Sequence, residues 1–171
     1  TSVLAVIVGP FSQSSNSSSN RTSIVIDPTV RLANAGDSEQ LQALESEARG
    51  ALVDQRGGVR WLSEHLAVGD AWVSRCAESE VLVGHIDDVV VAYVVADLGS
   101  DLILRIDQIW VTPQARELGF GDELLSAAID VGRRQGAIAV EGQALPGDRQ
   151  TKNLYERAGI VARLITTFRW L

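Results

Sequence analysis

The order of strand-like and helix-like segments is the feature that most restricts the fold of this chain. Residues 80–111 contain three runs rich in β-branched residues, EVLVGHI, VVVAYVVADL and DLILRIDQIWV, separated by Asp87-Asp88 and by Gly99. WVSRC, at residues 72–76, has the same character and predicts one more strand. Strands that follow one another across short turns pair antiparallel, so this part of the chain predicts a meander.

A helical pattern precedes the meander. Asp37 and Gln40 resemble a capping box, and apolar residues then follow at helical spacing at positions 41, 44, 48 and 52. Gly57-Gly58 ends this pattern, and a shorter helix is predicted at residues 61–66. The segments SIVID and VRLAN, which come before the first helix, predict the first strand.

Strands and helices alternate after the meander. Residues 119–135 predict an amphipathic helix with acidic residues in its first turn, Arg133 and Arg134 in its last turn and Gly136 after it, a charge order that suits the helix dipole. AIAVEGQAL predicts a strand, residues 149–158 a short helix, and VARLITTFRWL a closing strand. Helices, a meander and then this alternation predict a mixed sheet with helices on both faces.

The length of the chain, 171 residues, fits one domain that buries most of its apolar surface. Residues 1–23 differ from the rest of the chain. They begin with a short apolar run, long enough for an added edge strand, and continue as a Ser/Asn-rich stretch with the composition of a linker. We therefore predict an N-terminal extension at residues 1–23 and a single domain at residues 24–171.

Charge and composition exclude several classes of function. The formal net charge is −7, whereas binding to nucleic acid requires a basic face. No apolar run reaches the ~20 residues of a membrane span, and the N-terminal run lacks the positive residues of a signal peptide, so we predict a cytoplasmic protein. Cys76 is the single cysteine, which leaves no disulfide and no cysteine-based metal site. The preference for arginine over lysine is typical of a GC-rich bacterial genome.

The segment VTPQARELGFGDELL, residues 111–125, joins a predicted strand to a predicted helix. The N-terminus of a helix presents unpaired N–H groups and a partial positive charge. Gly119 and Gly121 remove the Cβ atoms that would keep a ligand from the backbone, and Arg116 adds a positive charge. Together they predict an anion site, most naturally for a pyrophosphate. Gly-x-Gly also occurs in ordinary strand–helix turns, which is the alternative interpretation.

The same segment resembles part of a known enzyme family. The spacing Arg116-x-x-Gly119-x-Gly121 resembles the acyl-CoA-binding signature of the GNAT acetyltransferase superfamily, and NLYERAGI further on is similar to its second signature, a helix with a tyrosine followed by a glycine. VRLANAGDSEQLQAL is similar to the family's first strand and helix. The resemblance covers residues 24–171. It implies a mixed, mostly antiparallel sheet of six to seven strands, splayed between strands 4 and 5, with helices on both faces.

The resemblance implies acetyl-CoA as the cofactor. In the family the pantetheine arm enters the slot between strands 4 and 5, here residues 102–111 and 137–145. Backbone groups of Ile109 and Val111 would bond the pantetheine amides, and the Val111 N–H would polarise the thioester carbonyl. The remaining residues of the implied cofactor site are Arg116, Leu118, Gly119, Phe120, Gly121 and Asn153. The family often has Asn seven residues before the tyrosine, where this chain has Asp148.

Tyr155 and Asp107 are the catalytic candidates. By the resemblance, Tyr155 is the general acid for the departing thiolate, the alternative being a tyrosine packed against the sheet. Asp107 lies where some polyamine-acetylating members of the family carry a catalytic glutamate. Unless a bulge intervenes, it shares its face with Ile109 and Val111. The alternative role of Asp107 is an ion pair with Arg105 or another neighbour, and the other candidate bases are Glu141, His65 and His85.

The function implied by the resemblance is acetyl-CoA-dependent transfer of an acetyl group to a primary amine, by direct attack on the thioester. The acceptor is a small-molecule amine or, as an alternative, a protein N-terminus or lysine side chain. A catalytically silent acyl-CoA-binding regulatory module is the alternative from another class, because resemblance to an enzyme does not prove chemistry. No metal is implied. The closing FRWL, in which Phe168 and Trp170 alternate, either caps the core or forms the edge of a homodimer.

Overall fold

The computed structural model describes residues 28–169, and the extension predicted at residues 1–23 lies outside them. Five strands are present in this range: β1 (Thr29–Leu32), β2 (Glu80–Ile86), β3 (Val89–Leu98), β4 (Ile103–Val111) and β5 (Ala139–Gly142). The α-helices are α1 (Ser38–Leu52), α2 (Gly58–Glu64), α3 (Trp72–Glu78), α4 (Phe120–Arg134) and α5 (Arg149–Arg157). Short 3-10 turns lie at Ala35–Asp37, Gly69–Ala71 and Pro113–Ala115.

The strands form one sheet in the order β1-β2-β3-β4-β5. The first four strands pair antiparallel, whereas β4 and β5 pair parallel, connected by the crossover helix α4. The predicted mixed, mostly antiparallel sheet with accompanying helices is confirmed. The predicted count of six to seven strands is not, because residues 28–169 supply five.

Helices cover both faces of the sheet, and each face has its own buried cluster. On one side, which we call the α1 face, α1 and α3 pack on the strands, and the cluster comprises Leu41, Leu44, Trp72, Val81, Val83, Val90, Tyr93 and Val95. On the other side, the α4 face, α4 and α5 pack on the strands, and the cluster includes Leu104, Ile106, Phe120, Leu124, Leu125, Leu154 and Tyr155. The helix α4 lies close to the sheet at Gly132, where an added Cβ would lie 2.8 Å from Leu104.

β4 contains a bulge at Asp107. In its register with β3, Ile106 lies opposite Ala96 and Gln108 lies opposite Val95, so Asp107 has no partner residue. A bulge of this kind places one extra residue in one strand and changes which side chains lie on each face beyond it.

The bulge separates Asp107 from the apolar residues of the same strand. Leu104 and Ile106, before the bulge, pack on the α4 face, and so do Ile109 and Val111 after it. An unbroken strand would have placed the second pair on the other face from the first. Asp107 therefore does not share a face with Ile109 and Val111, as it would in a strand without a bulge.

Residues 72–76, which the sequence predicts as a strand, belong to the helix α3. Trp72 is fully buried, and Cys76, one helical turn later, packs on the same cluster of the α1 face. Val73, between them, is exposed. The apolar residues of this segment thus follow helical spacing, and five residues are too few for periodicity to distinguish a helix from a strand. The prediction of a strand here was wrong.

Residues 161–169, predicted as part of the closing strand, form no strand. They expose Leu164 and Ile165, and the guanidinium of Arg60 on α2 lies over the ring of Phe168, 4.0 Å from its centroid. The segment has the composition of a strand, but β-propensity acts through the neighbours with which a strand packs. Trp170 lies outside the described residues.

Asn34 caps the start of the first helical segment, in place of the predicted pair Asp37 and Gln40. The Asn34 side chain accepts a hydrogen bond from the backbone amide of Gly36, and the backbone N–H of Asn34 donates to the Asp37 carboxylate over 2.8 Å. Gln40 instead accepts from the amide of Val90 on β3, also over 2.8 Å. The residue spacing of a capping box is present in the sequence, but shifted by one 3-10 turn.

We expect the ion pair of Arg31 and Asp37 to make stability depend on pH. The two Nη atoms of Arg31 donate to the buried carboxylate of Asp37, over 2.7 and 2.8 Å, and these hydrogen bonds lower the pKa of Asp37. A folded-state pKa below the unfolded value of ~3.9 gives stability that is present above that pH and is lost as the pH falls through the folded-state pKa. Asp37→Asn should lower the free energy of unfolding by about 1–3 kcal/mol at pH 7.

The measurement is urea unfolding of the wild type and Asp37→Asn between pH 7 and pH 2. The difference in unfolding free energy between the two proteins should shrink towards acid pH. Asp54→Asn, at an exposed position, serves as the control and should track the wild type throughout. A constant difference at every pH would contradict the assignment.

Candidate active site

β4 and β5 separate partway along β4. Their pairing ends at Ile106 and Gly142, whereas β4 continues to Val111. The amide of Thr112 donates to a carbonyl of β3 over 2.9 Å. Because successive N–H groups of a strand point to opposite sides, those of Val111 and Ile109 point away from β3, towards the side where β5 has ended. The structure therefore has a slot between the strands, bordered by backbone groups that no strand within residues 28–169 pairs.

The connection between β4 and α4 presents a series of backbone amides. Glu117 and Gly119 have positive φ angles, 69° and 88°, and the helix begins directly after them at Phe120. Within residues 28–169 the amides of positions 119–122 donate no hydrogen bond. Leu118 was also predicted to belong to the cofactor site, but its amide is not free. It donates to a carbonyl of the preceding 3-10 turn over 3.4 Å. Free amides at the positive end of a helix form a site for an anion.

Glycine occurs at positions 119 and 121 of this connection for different structural reasons. Gly119 has the positive φ, which side chains other than that of glycine rarely adopt. A Cβ on Gly121 would contact Leu154 at 3.5 Å and Val111 at 3.8 Å, which are ordinary van der Waals distances. Packing within the protein therefore does not require glycine at position 121. Its effect is to leave the backbone accessible from outside.

Arg116 folds back over the end of β4. Its Nε donates to the carbonyl of Val111 over 3.2 Å, and its guanidinium lies over the indole of Trp110, 4.8 Å from the ring centroid. The Trp110 indole in turn donates to Glu47 on α1 over 3.1 Å. These contacts fix Arg116 beside the slot. They also occupy the carbonyl of Val111, whereas its N–H has no partner among residues 28–169.

Tyr155 lies where the two strands separate. It is 6% exposed, and its ring packs so closely on Gly142 that an added Cβ there would lie 2.6 Å from the phenol oxygen. Within the described part of the chain its hydroxyl has no hydrogen-bond partner. Burial, with the charge of Asp148 second, raises the pKa of Tyr155. The phenol therefore holds its proton at neutral pH.

The helix that carries Tyr155 places its other polar residues outward. Asn153, a predicted cofactor residue, is exposed on α5. Asp148 caps the helix, because its carboxylate accepts from the amide of Thr151 over 3.0 Å. Leu154, between Asn153 and Tyr155, packs beside Gly121 and brings α5 against the start of α4. The two signature segments of the sequence are thus neighbours in the structure.

On the α1 face the bulge directs two consecutive side chains, Asp107 and Gln108, into one cleft. The cleft has a volume of about 460 Å³ and is bordered by α3, by the end of β3, by the middle of β4 and by the loop at residues 66–71. Its charged lining residues are three carboxylates and one guanidinium, those of Glu78, Asp97, Asp107 and Arg75. The cleft is therefore acidic on balance, which favours a cationic ligand.

The ion pair considered as the alternative role of Asp107 is present, but with a partner other than Arg105. Arg75 donates to Asp107 over 2.9 Å, while Arg105 pairs with Asp101 and Glu141. Glu141, one of the other candidate bases, is therefore also in an ion pair, with Arg105. An ion pair is compatible with a catalytic role, since Asp107 still lines the cleft.

The two histidines make local contacts and do not line the cleft. His65 stacks on Trp61, with 4.3 Å between ring centroids, and its Nδ1 lies 2.9 Å from the carbonyl of the same residue. The Nδ1 atom of His85 lies 2.8 Å from the carbonyl of Asp87 in the β2–β3 turn. Of these candidate bases, Asp107 lines the cleft and the two histidines do not.

Three charged residues of the site region are missed by the sequence analysis: Glu45, Glu47 and Arg75. Glu45 is buried and accepts hydrogen bonds from two amides of the 66–71 loop, and Glu47 contacts the end of β4. Glu45 falls on the apolar stripe of α1, four residues after Leu41. A charged residue on an apolar stripe is the one sequence feature that could have indicated its buried role. Nothing local in the sequence distinguishes Glu47 or Arg75.

Residues 28–169 contain no group of three or more His, Cys, Asp or Glu side chains placed to hold a metal ion. The single cysteine, Cys76, is half-buried, and burial raises the pKa of its thiol, with the charge of Asp37 second. A thiol of raised pKa is a weak nucleophile, so nothing assigns Cys76 to chemistry. In the same range no helix has the length and apolar character needed to cross a bilayer.

A slot between two diverging parallel strands, free amides at a helix N-terminus and a buried tyrosine together define an acyl-CoA-dependent transferase fold. The family model described as Acetyltransferase (GNAT) family matches residues 40–160, more than half of the chain. The chain therefore belongs to the GNAT acetyltransferase family, whose members use acetyl-CoA. No curated protein matches the sequence.

Solved structures share the fold at low sequence identity. A mutant of the BH1408 protein from Bacillus halodurans superposes with a TM-score of 0.68 at 22% identity, covering 84% of this chain and 99% of that one. A ribosomal-protein-alanine N-acetyltransferase from Brucella melitensis biovar Abortus 2308 gives 0.62 at 17% identity, covering 84% and 97%. The aminoglycoside N-acetyltransferase AAC(6')-Iy, solved in complex with CoA, gives 0.59 at 15% identity, covering 84% and 100%. At these identities the likeness shows the fold alone.

Proposed function

We propose that the protein transfers the acetyl group of acetyl-CoA to the primary amine of a small, cationic acceptor. The observation that carries this proposal is the meeting of two sites at one strand. The slot with its free amides opens beside β4 directly after Ile106, and the acidic cleft opens on the α1 face at the next residue, Asp107. A donor in the slot and an acceptor in the cleft would therefore meet at the bulge.

The residues of the slot fit acetyl-CoA. The free amides of Gly119, Phe120 and Gly121 suit a pyrophosphate, and the unpaired backbone groups of Ile109 and Val111 suit the amides of a pantetheine arm. We assign Arg116 and Asn153 to the flanks of this site, and the engaged amide of Leu118 to a weaker contribution. Acetyl-CoA supplies the acetyl thioester when it is bound.

Three groups of the chain would then act on the reaction. The N–H of Val111, unpaired within residues 28–169, would donate a hydrogen bond to the thioester carbonyl oxygen, and loss of one such donor costs ~3 kcal/mol in comparable sites. Asp107 would accept the proton that the amine loses, because an alkylamine with a free pKa of ~10.4 is protonated at neutral pH. Tyr155, which burial keeps protonated, would supply a proton to the CoA thiolate.

The cleft supports a small acceptor rather than a protein chain. Its volume of about 460 Å³ lies within the range of small-molecule sites, which is ~300–1,000 Å³. Its excess of carboxylates attracts an amine in its charged form, and Asp107 can then remove the proton. Acetylation of a peptide amine and a silent acyl-CoA-binding module are the alternatives.

Calorimetric titration with acetyl-CoA tests the cofactor site. We expect saturable one-site binding by the wild type, and at least a ~100-fold increase in Kd for the double variant Arg116→Ala with Gly121→Val. The reason is that valine closes the access to the helix amides, although the fold has room for a Cβ at position 121. A 100-fold change corresponds to ~2.7 kcal/mol.

Gly50→Val is the matched control, because Gly50 lies on α1 with no atom near its Cβ position. It should bind acetyl-CoA as the wild type does. Unchanged binding by the double variant would place the cofactor elsewhere. A folded wild type that binds no acetyl-CoA would overturn the proposed function as a whole.

A further inference from the structure

Arg75 joins two carboxylates that belong to adjacent strands. Its Nη2 atom donates to Asp97 on β3 over 2.8 Å and to Asp107 on β4 over 2.9 Å. One guanidinium nitrogen carries two N–H groups, so both bonds form at once. The Nε atom of Arg75 is buried and has no hydrogen-bond partner in the described part of the chain. The polar contacts of the side chain are therefore concentrated on these two carboxylates.

Asp107 depends on this contact for its position. Its side chain is 40% exposed, and within residues 28–169 its carboxylate accepts a hydrogen bond from Arg75 and from no other group. As the extra residue of a bulge, Asp107 also lacks a residue opposite it on β3. An exposed aspartate with no other contact would populate several rotamers.

We propose that Arg75 is a positioning residue for acetyl transfer, and that it also limits the attraction of the cleft for cationic acceptors. Anchored by Asp97, the guanidinium holds the Asp107 carboxylate towards the cleft, where it receives the proton of the amine. This inference rests on the proposed function, because it assigns a task to Asp107. It goes beyond that function by making a residue of α3 responsible for both the geometry and the charge of the acceptor site.

Loss of Arg75 should lower both kcat and KM, two changes with opposite effects on kcat/KM, and this combination differs from that expected of a merely structural role. Loss of the guanidinium frees Asp107, so a smaller fraction of its conformations can accept the proton, and kcat falls. The same loss leaves three carboxylates in the cleft without a cation, so a charged amine binds more tightly and KM falls. Damage to the fold would instead lower kcat and raise KM or leave it unchanged.

The test compares the wild type with Arg75→Gln, Arg75→Lys and Asp97→Asn, using 1,4-diaminobutane as the acceptor at saturating acetyl-CoA. We expect Arg75→Gln to lower kcat about 10-fold and to lower KM about 2- to 3-fold. Arg75→Lys, which keeps the charge, should retain kcat within about 3-fold. Asp97→Asn removes the anchor and should lower kcat by an intermediate factor. Calorimetric Kd values for acetyl-CoA should be equal in all four proteins.

A double-mutant cycle adds a second criterion. If Arg75 acts through Asp107, Arg75→Gln should have no further effect on kcat in an Asp107→Asn background. Effects that multiply would overturn the proposal. So would a result in which Arg75→Gln raises KM for 2,4-diaminobutyric acid and leaves 1,4-diaminobutane unaffected, because Arg75 would then bind the carboxylate of an acceptor.

Crystal structures of the variants test the positioning without turnover. The Asp107 side chain should occupy one rotamer in the wild type and in Arg75→Lys, and several in Arg75→Gln. A single, unchanged rotamer in Arg75→Gln overturns the proposal, even if no diamine is acetylated. Failure of the proposed function is a separate result, recognised by a wild type that binds no acetyl-CoA or transfers acetyl to no amine.

Discussion

We expect Tyr155→Phe to lower kcat for acetyl transfer about 100-fold and to change the free energy of unfolding by less than about 0.5 kcal/mol. The loss of rate follows from removal of the proton that the thiolate would receive. The small change in stability follows because the phenol hydroxyl makes no hydrogen bond within residues 28–169 and is not one of their fully buried unpaired polar atoms. Phenylalanine fills the same space beside Gly142 without leaving a polar group unpaired.

Tyr93→Phe is the control for this experiment, and it should show the reverse pattern. Tyr93 is equally buried, on the α1 face, but its hydroxyl donates to Gln108 over 2.8 Å. Its loss should therefore cost about 1 kcal/mol of unfolding free energy and leave kcat within about 3-fold. The measurements are steady-state kinetics at saturating acetyl-CoA and urea unfolding of both variants. A Tyr155→Phe enzyme with the wild-type kcat would show that another group donates the proton.

Glu45→Ala should lower the free energy of unfolding by about 3–5 kcal/mol, a large part of the stability of a domain of this size. Glu45 is 2% exposed, and its carboxylate accepts from the amides of Val68 and Gly69 and from the indole of Trp72, over 2.8, 2.9 and 3.2 Å. Alanine would leave three donors without an acceptor, two of them in the loop that borders the cleft. That loop should lose its fixed conformation before the sheet unfolds.

Urea unfolding measures the loss, with Glu39→Ala as the control on the same helix. Glu39 is exposed, so its replacement should change the unfolding free energy by less than about 0.5 kcal/mol. Glu45→Gln keeps the shape and one acceptor oxygen, and its cost should lie between those of the two alanine variants. If Glu45→Ala unfolds within about 1 kcal/mol of the wild type, the carboxylate does not hold the loop.

The elements that sequence predicts well are those with long, regular patterns. β2, β3 and β4 are runs of seven to ten residues with apolar character, and α4 combines a clear apolar stripe with charges that suit its dipole. The shorter segments are ambiguous, because their patterns are compatible with more than one element. Residues 72–76 belong to a helix in which Trp72 is buried beside Tyr93 on β3. The local sequence around Trp72 cannot predict this long-range contact.

The candidate site divides in the same way. The residues at positions 116–121 could be found because their order along the chain reflects one local structure, a strand–turn–helix connection. The surroundings of Asp107 could not, because the bulge is defined by pairing with β3, and the partner Arg75 lies 32 residues away in the chain. Glu47, 63 residues from Trp110, belongs to the same class of contact. Tertiary packing, and not the local sequence, determines on which face of the sheet these side chains lie and which partners they contact.

The bulge in β4 has a consequence for how such a chain can diverge. One extra residue lets a single strand present its backbone edge and apolar side chains to one compartment, and two polar side chains to another. Substitutions on the α1 face can therefore alter what enters the cleft while the opposite surface stays intact. Deletion of Asp107 would remove the bulge and restore regular alternation, so Ile109 and Val111 would stay on the α4 face, and Gln108 alone of the two polar side chains would still point into the cleft. The extra residue of the bulge therefore changes what lines the cleft and leaves the apolar side of the strand unaltered.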